Sequence, residues 1–106
     1  MHQLCLLTDL PDGASRGFEV EGQALLAVRR GAQVYVYRNH CPHRGIRLEW
    51  QPDQFLDYEG QYIQCATHGA LFTIDGGECI AGPCPGERLD PIQCQLEGER
   101  VLITLA

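Results

Sequence analysis

The chain is short of positive charge. Eight Lys and Arg stand against fourteen Asp and Glu, giving a formal net charge of -6 and a pI near 5.0. A surface this acidic repels a polyanion, which excludes nucleic acid as the partner and suits a positively charged protein surface instead. Long apolar runs are also lacking. Met1-His2-Gln3-Leu4-Cys5-Leu6-Leu7 has neither a basic flank nor an apolar stretch of signal-peptide length, and nothing after it is long enough to span a membrane. The expectation is a cytoplasmic protein with no membrane partner. No segment keeps a helical period for three turns, and there is no internal repeat, low-complexity tract or linker. A chain of 106 residues then reads as a single domain, 1–106, with room for one site.

What is present is a series of short strand-like runs. Gln33-Val34-Tyr35-Val36-Tyr37 alternates aliphatic and aromatic residues, and Gly31-Ala32 joins it to Ala24-Leu25-Leu26-Ala27-Val28 as a hairpin. A two-residue loop that begins with glycine suits a type II′ turn. Gly22-Gln23 and Gly98-Glu99 give the same signal, while Glu59-Gly60 and Gly76-Gly77 mark further reversals. At the C-terminus Ile92, Cys94 and Leu96 share one strand face, and Val101, Ile103 and Leu105 share one face of the next. The fold class is all-β, an antiparallel meander. Between about residues 39 and 54 the alternation fails, around His40-Cys41-Pro42-His43-Arg44-Gly45, Trp50, Pro52 and Asp53.

That interruption carries chemistry. Six cysteines in a short secreted chain would suggest three disulfides, but two of these six sit in mixed pairs with histidine. Cys41-Pro42-His43 and Cys65-Ala66-Thr67-His68 read C-x-H and C-x-x-H, with twenty-one residues between them. Two thiolates and two imidazoles satisfy a tetrahedral zinc, whose finger pattern is ordinarily C-x-x-C with a separate histidine pair. Pairing Cys with His twice also suits a binuclear iron cluster, in which one iron takes both thiolates and the other both imidazoles. Such a cluster is neutral when oxidised, because the neutral imidazoles replace two thiolate charges, and it accepts an electron more readily than a four-thiolate one. Mixed sites accordingly lie at roughly -150 to +300 mV, against about -400 mV for the four-cysteine plant type.

Cys-Pro-His-Arg-Gly at 41 to 45 and Cys-Ala-Thr-His-Gly at 65 to 69 resemble the two cluster loops of the Rieske family. Leu48 stands at that family's apolar anchor, Phe72 follows the second loop, Gly76-Gly77 fits its hairpin, and Gly82-Pro83 resembles its proline loop. The resemblance spans about 38 to 85. It implies stacked antiparallel sheets with a cluster-binding subdomain inserted at about 39–85, and one 2Fe-2S cluster held by Cys41, His43, Cys65 and His68. Around it, Gly45 and Gly69 would let backbone N–H groups approach sulfur, Pro42 would stiffen the first loop, and Pro83 would shield the cluster from water.

Respiratory members of the family carry a disulfide between the loops and hydroxyl groups that donate to sulfur. Ile46 and Thr67 occupy the disulfide positions here, and Ala70 and Phe72 the hydroxyl positions. Fewer donors to sulfur make reduction harder, so the midpoint is expected near the lower end of the family range, on the order of -150 mV. The chain most resembles the stand-alone Rieske ferredoxin. That likeness implies an electron-transfer component rather than an enzyme, moving single electrons from a flavoprotein reductase to a terminal oxygenase. Docking would be transient, at a tip formed by His43 and His68 with Pro42, Arg44 and Pro83 around them. The alternatives are the small subunit of an assimilatory nitrite reductase and a redox-sensing module.

The remaining reactive residues have plainer readings. Cys5 and Cys94 sit in strand-like runs as small apolar residues, and Cys79 and Cys84 beside the proline loop are ordinary small residues or a disulfide. His2 reads as a disordered terminus, His40 as a solvated loop residue, and Trp50 as an aromatic packed under the loops. Asp53, Asp57, Glu59 and Glu78 show no paired acid/base arrangement.

Overall fold

The computed structural model describes residues 2–39, 56, 61–64, 70–81 and 88–104. They form nine strands and one turn of 3-10 helix. The strands are β1 (His2–Leu6), β2 (Ser15–Val20), β3 (Gln23–Arg30), β4 (Gln33–Arg38), β5 (Tyr62–Gln64), β6 (Leu71–Thr73), β7 (Cys79–Ala81), β8 (Pro91–Glu97) and β9 (Arg100–Thr104), with the 3-10 turn at Leu7–Asp9. Six strands build one antiparallel sheet in the order β1-β9-β8-β4-β3-β2, and β5-β6-β7 form a second. The second sheet comes from the chain between β4 and β8, so it is the expected insertion.

The turn chemistry explains most of the register. Arg30 faces Gln33 across the β3–β4 hairpin, with Gly31 at φ 60 and Ala32 outside the positive-φ region, as a type II′ turn requires. Glu97 faces Arg100 around Gly98 at φ 63 in the same way. The β2–β3 reversal differs by one residue from the expectation. Val20 pairs with Gln23, so the loop is Glu21-Gly22, and both residues have positive φ, 51 and 78. That is a type I′ turn, reached by placing a non-glycine residue in the left-handed region. Gly77 marks the β6–β7 reversal at φ 66. Glu59-Gly60 lies outside the described residues.

β3 is the middle layer. Leu25, Leu26, Ala27 and Val28 are all fully buried, because a strand covered on both faces can be continuously apolar rather than alternating. Leu25 and Ala27 join Val34, Val36, Ile92, Val101, Ile103, Cys5 and Leu10 in one core. Leu26 and Val28 join Tyr37, Ile63, Ala70, Phe72, Ile74, Cys79 and Leu89 in the other. The first core lies within the folded six-stranded sheet, and the second lies between that sheet and β5–β7. Val101 and Ile103 face the core as expected, and Leu105 lies outside the described residues. Leu96 departs from the expectation, since it is 37% exposed. β4 pairs with β8 only at Pro91 and Ile92, so the far end of β8 runs past the strand that would have covered it.

Two side chains lock the layers together. The Arg29 guanidinium donates through Nη1 to the Leu7 and Leu10 carbonyls at 3.1 Å each, tying the 3-10 turn to the main sheet. The buried Tyr37 hydroxyl donates to the Ile74 carbonyl at 2.6 Å, joining β4 to the β6–β7 turn. Gly77 is required beneath it, because a Cβ there would lie 2.8 Å from Tyr37 Cε1.

Candidate metal centre

The predicted ligands Cys41, His43, Cys65 and His68, with Gly45, Gly69 and Pro83, lie outside the described residues, as do Pro42, Arg44, Ile46, Leu48, Trp50, Thr67, His40 and Cys84. The frame that receives them is described. Ile63 on β5 faces Phe72 on β6, and Gln64 faces Leu71. Leu71 in turn faces Ala81 on β7. The chain therefore leaves β5 after Gln64, enters β6 before Leu71 and leaves β7 after Ala81 at one end of this small sheet. Leu56 forms an antiparallel bridge with Ile63, so the chain arriving at Leu56 comes from that same end. Segment 65–69 thus joins two neighbouring strand ends, segment 82–87 leaves the same end of the sheet before reaching Arg88, which bridges Glu78, and segment 40–55 leads from Asn39 into Leu56. Segments 40–55 and 65–69 carry both Cys/His pairs, and 82–87 carries the proline loop.

The opposite side of the frame is rigidly held. Ile63, Phe72 and Cys79 face inward as one cross-strand row and are buried in the second core. At the start of the first segment, the backbone N–H of Asn39 donates to the Ala24 carbonyl at 2.9 Å, and that of Arg38 to the Asp90 carbonyl at 2.9 Å. Asn39 is the buried polar residue of the described chain, and it anchors the exit from β4. The β6–β7 turn is pinned by Leu89 N–H donating to the Gly77 carbonyl at 2.8 Å. Tyr37 was missed as a supporting residue by sequence reasoning. Its alternation marked it only as a strand aromatic, and no local signal reveals a hydrogen-bond partner thirty-seven residues away.

Burial raises the thiols of two cysteines outside the ligand pairs. Burial, and then the negative charge of Asp9, pushes the Cys5 thiol up, with Arg16 acting the other way. Cys94 is pushed up by burial and then by Cys5. Both therefore stay protonated and apolar, as the strand pattern suggested. Cys79 is buried, and its Sγ lies 3.3 Å from the Ala81 carbonyl oxygen. Tyr37 is pushed up to about 12 by burial, then by Asp75 and Tyr35, with Arg88 acting the other way. Glu78 forms a surface ion pair with Arg88 at 3.0 Å, consistent with a structural carboxylate. His2 is not a disordered terminus: it is the first residue of β1 and pairs with Ile103 on β9, with its Nε2 3.5 Å from Glu21 Oε1. Among the described residues no group of three His, Cys, Asp or Glu could hold a metal ion.

The donor set fits a 2Fe-2S cluster: thiolates and imidazoles are its two ligand types, present as two of each, one pair between Gln64 and Ala70 and one pair between Asn39 and Leu56. Ala70 and Phe72, both fully buried, bring no hydroxyl to the start of β6. Comparison with known proteins agrees. The chain is 30% identical over 100 residues to the ferredoxin component of the naphthalene 1,2-dioxygenase system of Pseudomonas aeruginosa, covering 94% of this chain and 90% of that one. It is 29% identical to the cytochrome b6-f complex iron-sulfur subunit of Chlorobaculum thiosulfatiphilum, of which it spans 50%. The structure of the carbazole 1,9a-dioxygenase ferredoxin of Nocardioides aromaticivorans superposes with a TM-score of 0.79 at 25% identity, covering 96% of this chain and 94% of that one. Residues 1–101 match the Rieske [2Fe-2S] domain: the chain belongs to that family and carries one Rieske-type 2Fe-2S cluster.

Proposed function

We propose that Cys41 and Cys65 hold one iron and His43 and His68 the other, and that the chain is one domain, 1–106. In this reading it is the electron carrier between a flavoprotein reductase and a terminal oxygenase. The observation that carries the role is the 30% identity to a dioxygenase ferredoxin component over nearly the whole of both chains. The cluster, when bound, supplies one-electron exchange. The chain's own residues set the terms of that exchange. Neutral imidazoles in place of two thiolates remove negative charge, Gly45 and Gly69 admit backbone donors, and Pro83 excludes water without offering an N–H. A net charge of -6 steers the carrier toward positively charged faces. The transient docking site is the cluster tip, and the compartment is the cytoplasm. Among the described residues no helix is long and apolar enough to cross a membrane.

The test is reconstitution with a flavoprotein reductase, NADH and a terminal oxygenase, with this protein in catalytic amount. Turnover that rises with its concentration supports the reading. A protein that is reduced by no flavoprotein and reduces no oxygenase contradicts it.

A further inference from the structure

The outer face of the small sheet carries an apolar patch beside the cluster segments. Phe72 faces Cys79, whereas Leu71 faces Ala81, so the register shifts by one residue between them and Ile80 is the extra residue of a β-bulge. Cys79 is turned into the core, while Ile80 and Ala81 are both exposed and Leu71 is half-buried. Ile80 is 50% exposed, more than Leu6 or Leu96, the other exposed large apolar residues among the described residues. A bulge re-aims side chains and is favoured beside functional sites. Here it places two consecutive residues on the outer face next to Leu71, where regular alternation would have turned one of them inward.

We infer that Leu71, Ile80 and Ala81 form an apolar docking patch for the terminal oxygenase. The inference rests on the electron-carrier reading above. Leu71 is three residues from His68 and Ile80 three from Pro83, and three residues of chain span at most about 11 Å. Even a weak transient interface of about 500 Å² per partner covers a disc of about 13 Å radius. An acceptor docked at the cluster tip therefore has this patch within its reach. The acidic chain steers a basic face toward itself, and the patch gives that face apolar contact, so the fitting oxygenase surface is apolar with a basic rim.

The experiment uses the holoprotein reduced with dithionite and mixed with the oxidised terminal oxygenase of the naphthalene dioxygenase system. Wild type is compared with Ile80→Ser, Ile80→Glu and Leu96→Glu, the last adding the same charge at an exposed apolar site on the six-stranded sheet. Ile80→Glu is expected to lower the second-order transfer rate about ten-fold and Ile80→Ser less. Leu96→Glu should match wild type, with midpoint and visible spectrum unchanged in all three. An Ile80→Glu rate equal to wild type, or an equal loss in Leu96→Glu, overturns the patch. Sedimentation showing a wild-type dimer that Ile80→Glu dissociates overturns it too, by assigning the patch to a second copy. A wild type that passes no electron to the oxygenase overturns the acceptor reading itself, a result distinct from a fast wild type matched by its variant.

Discussion

Ala70 is fully buried at the entry to β6, directly after the segment that carries Cys65 and His68. An Ala70→Ser change introduces a hydroxyl at the position where respiratory members resembling this chain carry a donor to sulfur. A hydrogen bond to a charged acceptor worth about 1.4 kcal/mol corresponds to about 60 mV for one electron, so the midpoint should rise by that order. Protein-film voltammetry of the two proteins checks it, and an unchanged midpoint would remove the donor argument. Tyr37 makes a second residue-scale prediction. Its phenol ionises near 10 in an unfolded chain but is pushed up to about 12 in the fold, so the folded state keeps the proton longer. Its contribution to stability is full below pH 10 and is lost as pH rises from about 10 to 12. Tyr37→Phe should flatten denaturant stability across that window. It also strips the buried Ile74 carbonyl of its phenolic donor, costing about 1–3 kcal/mol at neutral pH.

At the scale of elements, the β6–β7 turn is the most exacting. Gly77 sits at φ 66, and a Cβ would press on Tyr37 Cε1 at 2.8 Å and Leu89 Cβ at 3.3 Å. Gly77→Ala combines positive-φ strain with a clash against a fixed ring, and should cost about 2 kcal/mol or more, lowering the melting temperature by at least ~5 °C. Equal melting curves would show that the turn relaxes freely. The Gly31-Ala32 and Gly98-Glu99 hairpins were legible because glycine at the first loop position dictates the turn. Glu21-Gly22 was misplaced by one because nothing in the sequence marks a glutamate for φ 51. The alternation of Val101 and Ile103 was readable, whereas the exposure of Leu96 depends on where β4 stops pairing. β5, β6 and β7 have three residues each, too few to show a period, so the sheet that supports the site was visible only through its loops.

For the whole molecule, the site is legible as chemistry and the frame as topology. Cys/His spacing selected the residues, but only the pairing of β5, β6 and β7, with Leu56 bridged to Ile63, brings one end of each of the three segments to the same side of the small sheet. A cluster that joins two of these segments also restrains them, and a domain of this size has a modest core, so its removal should destabilise the fold. We propose that two cysteines and two histidines hold this one cluster. The most direct measurement is iron and acid-labile sulfide content of the aerobically purified protein, followed by EPR of the dithionite-reduced form. Two irons and two sulfides per chain are expected, with a Rieske-type spectrum that is lost in Cys65→Ser and in His68→Ala. A colourless protein containing zinc, or an intact Rieske spectrum in either variant, would contradict it.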